Sequence, residues 1–482
     1  MSNDQFVRNI ASREEEYSRW YTDVVNKAQL AEWSLVHGCM VIKPYGYALW
    51  ENMQRLLDQR FKATGHQNAY FPLLIPESLL AREAEHVEGF APEVAWVTHG
   101  GKEELEERLA IRPTSEAIIG ETYSKWVQSW RDLPILINQW CNVMRWEKVT
   151  RLFLRTTEFL WQEGHTVHRT SDEAMEETRR MLGVYQDFVE NELAMPVIPG
   201  RKTDNERFAG AVQTFSIEAM MGDGKALQAG TSHFFGQNFS RAFNIRFQDV
   251  DQQMEYGWTT SWGFSTRMIG ALIMVHGDES GLIFPPNVAP RQAVIVPIWR
   301  GGDEQTQVDE AARQLQRQLS ERFRVHYDGR DEFKPGYKFS EWEMRGVPLR
   351  IELGPRDLAS GQVTLVRRDT REKRPAPLEG LADVVSELLR TIQDDLLARA
   401  RDFMRDNTVT VTGSSLGELE EAIGQRKFVW ADWCGQASCE LAIKARTAAT
   451  IRNIPFEREE RPGLCVNCGQ PSDGPVIFAR SY

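Results

Sequence analysis

The sequence predicts a multidomain protein of mixed α+β and α/β class. An antiparallel-sheet domain is expected over 1–286, a small α/β domain over 287–400 and a cysteine-bearing unit over 401–482. Three observations predict this. The 482 residues are about three times the ~150 of a common domain. The first half carries short apolar segments between long loops, with little strand–helix–strand alternation, which favours antiparallel pairing. Past Pro285-Pro286 that alternation begins, and beyond it four of the six cysteines crowd the last fifty residues.

Taken in order, the first long element is a helix at 46–64, where Leu49, Met53, Leu56, Leu57 and Phe61 recur at helical spacing and Gly65 suits the C-terminal cap. The apolar run 70–75 is closed by Pro76 and predicts an edge strand, since proline cannot sit in mid-sheet. Further strands are expected at 143–146, 156–160, 215–220 and 232–235. A helix at 265–276 would pack Met268, Ala271 and Met274 on one side. The run 293–298 is apolar throughout, as in a strand buried on both faces. A helix at 308–322, strands at 323–327, 349–353 and 363–366, and a long helix at 379–407 complete the second domain.

Composition narrows the function classes. Apolar residues at 41% and charged residues at 26% describe a soluble globular chain. No run approaches the ~18 apolar residues of a membrane span. The amino terminus, with Asp4, Arg8 and Glu14 to Glu16, lacks a signal-peptide core, so a cytoplasmic location is expected. Six cysteines in such a length are no disulfide framework. The net charge of −12 argues on its face against a nucleic-acid partner, yet residues 291–373 hold 16 basic and 14 acidic side chains. A polyanion needs only local basic surface where it touches.

Two constellations carry chemistry. Arg145-Trp146-Glu147 is followed after a loop by Arg155-Thr156-Thr157-Glu158-Phe159. A hairpin there would present guanidinium groups for phosphate, a carboxylate for an exocyclic amine and a ring to stack on a base. The second, Thr260-Ser261-Trp262-Gly263-Phe264-Ser265-Thr266-Arg267, runs from a strand into a helix. Gly263 admits a ligand close to the backbone there, and Arg267 could reach a terminal phosphate.

Together these resemble motifs 2 and 3 of the class II aminoacyl-tRNA synthetases, and residues 46–76 resemble motif 1, a helix and strand at a dimer interface. Arg112-Pro113-Thr114-Ser115-Glu116, the run 159–166 (Phe-Leu-Trp-Gln-Glu-Gly-His-Thr), Gln228-Ala-Gly-Thr231-Ser-His233 and Val275-His276-Gly277-Asp278 resemble the prolyl-tRNA synthetases of archaeal and eukaryotic-like type. The resemblance covers nearly the whole chain, to the closing Ser481-Tyr482. Thr114 and Glu116 alone would also suit a threonyl enzyme, but the apolar Trp161 favours proline. A catalytically silent relative would be expected to lack the phosphate-binding arginines, and Arg145, Arg155 and Arg267 are all present.

The resemblance implies activation of L-proline by ATP with Mg²⁺ and transfer to tRNA(Pro), in a homodimer with no membrane attachment. It implies that Thr114 and Glu116 hold the ammonium and Arg145 the carboxylate and α-phosphate. Trp161, Phe208 and Phe90 would wall the ring, with Glu163, His233, Ser261 and Gly263 completing the pocket. Arg145 and Arg267 would be the catalytic arginines. Glu147, Arg155, Thr156, Phe159, Gln228, Thr231 and Arg267 would take ATP, with Glu218 as a further metal ligand. Glu343, Arg350 and Arg356 would read the anticodon. Only 93 positions separate Gly164 from Gly257, too few for the editing domain of many bacterial relatives. Cys434-x4-Cys439 with Cys465-x2-Cys468 suits a structural Zn²⁺. In that family the terminal carboxylate, here of Tyr482, points toward the active site.

Overall fold

The computed structural model describes residues 10–86, 93–299, 301–459 and 461–482. Its centre is a sheet whose strands run well past their predicted apolar cores. The strands are β1 (Gln67–Asn68), β2 (Ile135–Met144), β3 (Glu158–His168), β4 (Val197–Arg201), β5 (Gln213–Met220), β6 (Ala226–Gly236) and β7 (Trp258–Ser265). The added lengths contain Gln139, Gln162, Glu163 and His165, polar residues that an apolar pattern hides, all of them buried. The spatial order is β4-β5-β6-β7-β3-β2-β1. All neighbours are antiparallel except β1 with β2.

One face of this sheet is covered by α1 (Pro44–Ala63) and the other holds the cavity described below, flanked by α2 (Glu116–Trp126). The covering layer also includes α3 (Ser171–Asn191). Leu49, Met53, Leu57 and Phe61 of α1 join Tyr185, Phe188, Trp262 and Phe264 in one buried cluster. Pro44 opens α1 at a position that needs no N–H donor. Gly65, at φ +90, closes it in the left-handed region that favours glycine. Thr170 and Glu173 form a capping box at the start of α3.

The predicted edge strand at 70–75 forms only at its end, as Leu74–Pro76 paired with Glu103–Ile111. Before that, side chains replace the ladder: Phe71 N–H donates to Gln139 at 2.5 Å, and Arg112 donates to the Phe71 carbonyl at 2.8 Å. The described residues between Gly164 and Gly257 form α3, β4, β5, β6, the short helix Asn238–Phe243 and one small hairpin, with no further globular unit among them.

After α4 (Arg267–His276) comes a five-stranded mixed sheet. Its strands are β8 (Ala293–Pro297), β9 (Val325–Tyr327), β10 (Leu349–Leu353), β11 (Gln362–Arg367) and β12 (Lys373–Pro377), in the order β9-β8-β10-β11-β12. The helices α5 (Asp303–Ser320), α6 (Pro335–Met344) and α7 (Leu381–Asp406) accompany it. Asp278, just beyond α4, receives two hydrogen bonds from Arg368, at 2.9 and 2.6 Å, and pins this unit to the first.

The last unit does not stand apart. Its strands β13 (Thr408–Val411), β14 (Phe428–Asp432), β15 (Thr450–Pro455) and β16 (Pro475–Ala479) extend the central sheet. The junction pairs β15 with β4 through Ile454–Arg201 and Pro455–Gly200. The sheet becomes eleven-stranded, a continuity that no local pattern announces. The helix α8 (Ala437–Thr447) carries Cys439. No described helix is long and apolar enough to cross a membrane.

Candidate active site

Cross-strand register assembles the site. Alternate residues of a strand share a face, so Phe159, Trp161, Glu163 and His165 of β3 point the same way. One cross-sheet row reads Gln139–Glu163–Gly263–Thr231–Ser216, and the next reads His165–Ser261–His233–Thr214. Above these rows opens a cavity of about 220 Å³. Thr114, Glu116, Arg145, Phe159, Trp161, Glu163, Phe208, Gln228, Thr231, His233, Ser261, Gly263 and Arg267, all expected from sequence, line it.

The other expected residues lie elsewhere. Glu147 and Arg155 are not among the lining residues and pair with each other, Arg155 Nε donating to Glu147 Oε2 at 2.7 Å. Thr156 is buried and gives its hydroxyl to the Glu158 carbonyl at 2.7 Å. Phe90 lies outside the described residues. Glu218 faces β15, where Lys202 Nζ reaches it at 2.8 Å and Arg452 at 3.0 and 3.1 Å. With Ser216 donating as well, that carboxylate is fully engaged, which removes it as a direct metal ligand. Burial would raise Glu218, but Lys202 and Arg452 hold it below its usual range.

The charges left in the cavity are the informative ones. Glu116, buried at the start of α2, accepts from the Thr114 hydroxyl and, at 3.4 Å, from Ser261. No cation among the described residues forms an ion pair with it. Arg145 Nε donates to the Pro113 carbonyl at 3.0 Å and Arg267 Nε to the Leu154 carbonyl at 3.1 Å, and among the described residues neither meets a carboxylate at ion-pair distance. Burial pulls both guanidinium pKa values below the usual arginine level. Leaving the buried Glu116 and the half-buried Arg145 and Arg267 without ion-pair partners is costly, so a ligand that brings the complementary charges is the natural occupant.

Apolar groups fill the space between. The Arg145 guanidinium lies 5.5 Å from the Phe159 ring and 5.6 Å from that of Trp161. The Phe208 ring lies 4.5 Å from His233. Gly263 is needed for room: a Cβ there would meet the Trp161 ring at 3.4 Å and occupy the cavity.

Sequence reasoning named Glu163 and His233 but missed the polar partners behind them: Ser115, Gln139, Cys141, His165 and Thr214. Glu163 accepts from the Ser115 hydroxyl, from Gln139 Nε2 at 2.9 Å and from Cys141 at 3.4 Å, and pairs with His165 at 2.9 Å. Burial would raise Glu163, but these donors hold it down. Burial would lower His165, but Glu163 holds it up. Cys141 Sγ also accepts the Trp161 indole N–H at 3.2 Å. Burial depresses His233 to about 3, so it is the neutral imidazole and shares a hydrogen bond with Thr214. Strand register was the signal: Gln139 and Cys141 sit directly opposite Glu163 and Trp161. Glu206 and Thr214 also line the cavity without having been foreseen.

In the second unit, Arg350 is buried and closed by Glu343 at 2.7 Å and Glu352 at 3.0 Å, over the Phe339 ring. Arg356 is exposed. In the last unit the four predicted thiols converge, their sulfur atoms all within 4.8 Å of one another. Cys434 and Cys468 are 3.7 Å apart, close to the ~3.8 Å edge of a tetrahedron with 2.3 Å metal–sulfur bonds. Burial would raise Cys465, but backbone N–H groups, that of Cys468 first, draw it down to about 7. The donor set fits a structural Zn²⁺.

A ladder of six antiparallel strands with Arg145 just beyond β2 and Arg267 opening α4 after β7 defines a class II aminoacyl-tRNA synthetase. Residues 96–276 match the model of the tRNA synthetase class II core domain (G, H, P, S and T), residues 292–388 the anticodon binding domain, and residues 416–482 the prolyl-tRNA synthetase C-terminal domain. The chain is 56% identical to the proline–tRNA ligase of Natranaerobius thermophilus, covering 100% of this chain and 99% of that one. It is 54% identical to those of Alkaliphilus oremlandii, over 99% of each chain, and Ruminiclostridium cellulolyticum, over 100% of each. The chain belongs to the prolyl-tRNA synthetase family.

Proposed function

We propose that the cavity activates L-proline with ATP and passes the prolyl group to the 3′ end of tRNA(Pro). The observation that carries this is the buried, unpaired Glu116 facing unpaired Arg145 and Arg267 across aromatic walls. That spacing of charge complements a zwitterion whose cationic end is a secondary ammonium and whose body is a small apolar ring. Glu116 and Thr114 take the ammonium, while Trp161 and Phe208 flank the ring. Glu163, braced by His165, holds the wall in place.

Arg145 orients the carboxylate toward the α-phosphorus. As the carboxylate oxygen attacks, the bond to pyrophosphate breaks, and Arg145 with Arg267 disperses the charge that builds on the phosphate oxygens. Phe159 stacks on the adenine, and Glu147 accepts from its amine once released from Arg155. The terminal ribose hydroxyl of tRNA then attacks the prolyl carbonyl and releases AMP. No side chain forms a covalent bond, so catalysis is alignment and charge neutralisation. Mg²⁺ neutralises ATP phosphate charge when bound. With Glu218 engaged elsewhere, Gln228 and Thr231, which line the cavity, would supply oxygen donors to the ion.

Cys434, Cys439, Cys465 and Cys468 would hold Zn²⁺, which when bound staples the last unit. Metal analysis of chelator-free protein should give one zinc per chain. In this reading Glu343 and the exposed Arg356 face the anticodon, and Arg350, paired with Glu343 at 2.7 Å, sets that carboxylate in place. Homodimerisation would cover the exposed Trp33, Leu35, Val36, Val41 and Tyr47 around the start of α1. The decisive experiment is ATP–pyrophosphate exchange across a panel of amino acids. Proline should support it best. Alanine and cysteine should support it weakly, because each methylene missing from the ring discriminates by only ~1–3 kcal/mol. Exchange that prefers threonine would overturn the reading.

A further inference from the structure

Outside the pocket wall, one buried carboxylate links the C-terminal unit to the cavity. Glu440 lies on α8 and is only 3% exposed. Its Oε1 accepts from the Thr203 hydroxyl at 2.8 Å and its Oε2 from Asn205 Nδ2 at 2.8 Å. Thr203 precedes the short 3-10 turn Asp204–Glu206. Lys444, on the same helix as Glu440, lies 3.8 Å from Glu206. Glu206 lines the cavity, and so does Phe208 two residues on. The Phe208 N–H donates to Thr214 Oγ1 at 3.0 Å, the hydroxyl that also meets His233.

The turn is therefore held at its ends by the central sheet, through Lys202 N–H to the Thr214 carbonyl at 2.8 Å and Arg207 to the Val212 carbonyl at 3.1 Å. Across its middle it is held by α8, from 235 or more residues away in sequence. A carboxylate that accepts two hydrogen bonds fixes both donors at once, and 3-10 geometry leaves a short turn few bonds of its own.

We propose that Glu440 is a positioning residue for the amino-acid pocket: it sets the turn 203–206 so that Glu206 and Phe208 close the cavity around the substrate. This rests on the proline-activation reading above. Glue between units would affect both substrates or neither, whereas a pocket-setting role acts on the amino acid and spares ATP, whose residues lie on β3, β6, α4 and the segment joining β2 to β3.

The test is exchange kinetics on full-length Asn205→Ala, Glu440→Gln and the double variant. Asn205 is exposed, so its variant folds whatever Glu440 contributes to stability. Each single change should raise KM for proline roughly tenfold, the worth of one hydrogen bond to a carboxylate. KM for ATP should stay put, and the double variant should be no worse than Glu440→Gln, as for two ends of one interaction. An unchanged proline KM in both single variants, or proline and ATP constants moving together, would overturn the role of Glu440. Wild-type exchange with proline is the control. Its absence would sink the activity itself, whereas its presence with unshifted variants would sink only the positioning role.

Discussion

Two arginine-bearing regions of this molecule look alike in sequence and differ in kind. In the second unit Arg350 is buried, but Glu343 and Glu352 close on it at 2.7 and 3.0 Å. In the cavity Arg145 and Arg267 each meet a single backbone carbonyl through Nε, and among the described residues neither has a carboxylate at ion-pair distance and Glu116, which lines the same cavity, has no cation at ion-pair distance. The first arrangement is complete without a ligand. The second keeps opposite charges apart inside a low-dielectric site and is completed only by a molecule that bridges them. An arginine whose charge the fold has already neutralised is architecture, and one left open marks the ligand.

The sharpest way to break this contrast is Arg145→Ala, which should lower the rate of proline-dependent exchange roughly 100- to 1000-fold, the effect of removing a donor aimed at developing charge. The fold should survive, as circular dichroism would show, because no carboxylate loses its partner. Gly263→Ala tests the space between the charges. Its added methyl meets only Trp161 and Gln162 backbone at ordinary contact, so it should leave stability unchanged and raise KM for proline roughly tenfold.

Arg350→Ala should do the reverse. It strands Glu343 and leaves Glu352 only Lys373, at 3.4 Å, so thermal melting should show a loss of about 1–3 kcal/mol with exchange intact. The smallest effect is a pH dependence. Glu163, held below its usual range, contributes stability above about 4.5 that is lost as pH falls through its lowered value. His165, held above its usual range, contributes below about 6.5 and loses that contribution as pH rises through its raised value. Melting temperature measured against pH should therefore decline on the alkaline side, and His165→Gln should flatten that decline.

Much of this was legible in the sequence, for reasons that differ by residue. Leu49, Met53, Leu57 and Phe61 announced α1 because helical packing is periodic along the chain. The four cysteines announced their cluster because ligands come in local pairs. Arg145, Glu116 and Trp161 were legible through motif resemblance. What escaped depends on pairing between distant segments. Cys141 stands behind Trp161, and Gln139 behind Glu163, only because β2 and β3 pair in one register. Glu218 looked like a free acidic residue until β15 brought Arg452 to it from 234 positions away. The merger of the last unit with the central sheet, on which that meeting depends, rests on two residue pairs across β4 and β15.

The claim that open buried charges define the site is tested most directly by Glu116→Gln, assayed for melting temperature and proline-dependent exchange on the same preparation. Removing an unpaired buried charge while keeping its shape and hydrogen-bond acceptor should leave the melting temperature unchanged or raise it. It should also lower kcat/KM for proline by roughly 100-fold or more, as loss of a buried charge partner does. A variant that melts earlier yet activates proline normally would show that Glu116 is structural, and would contradict the account.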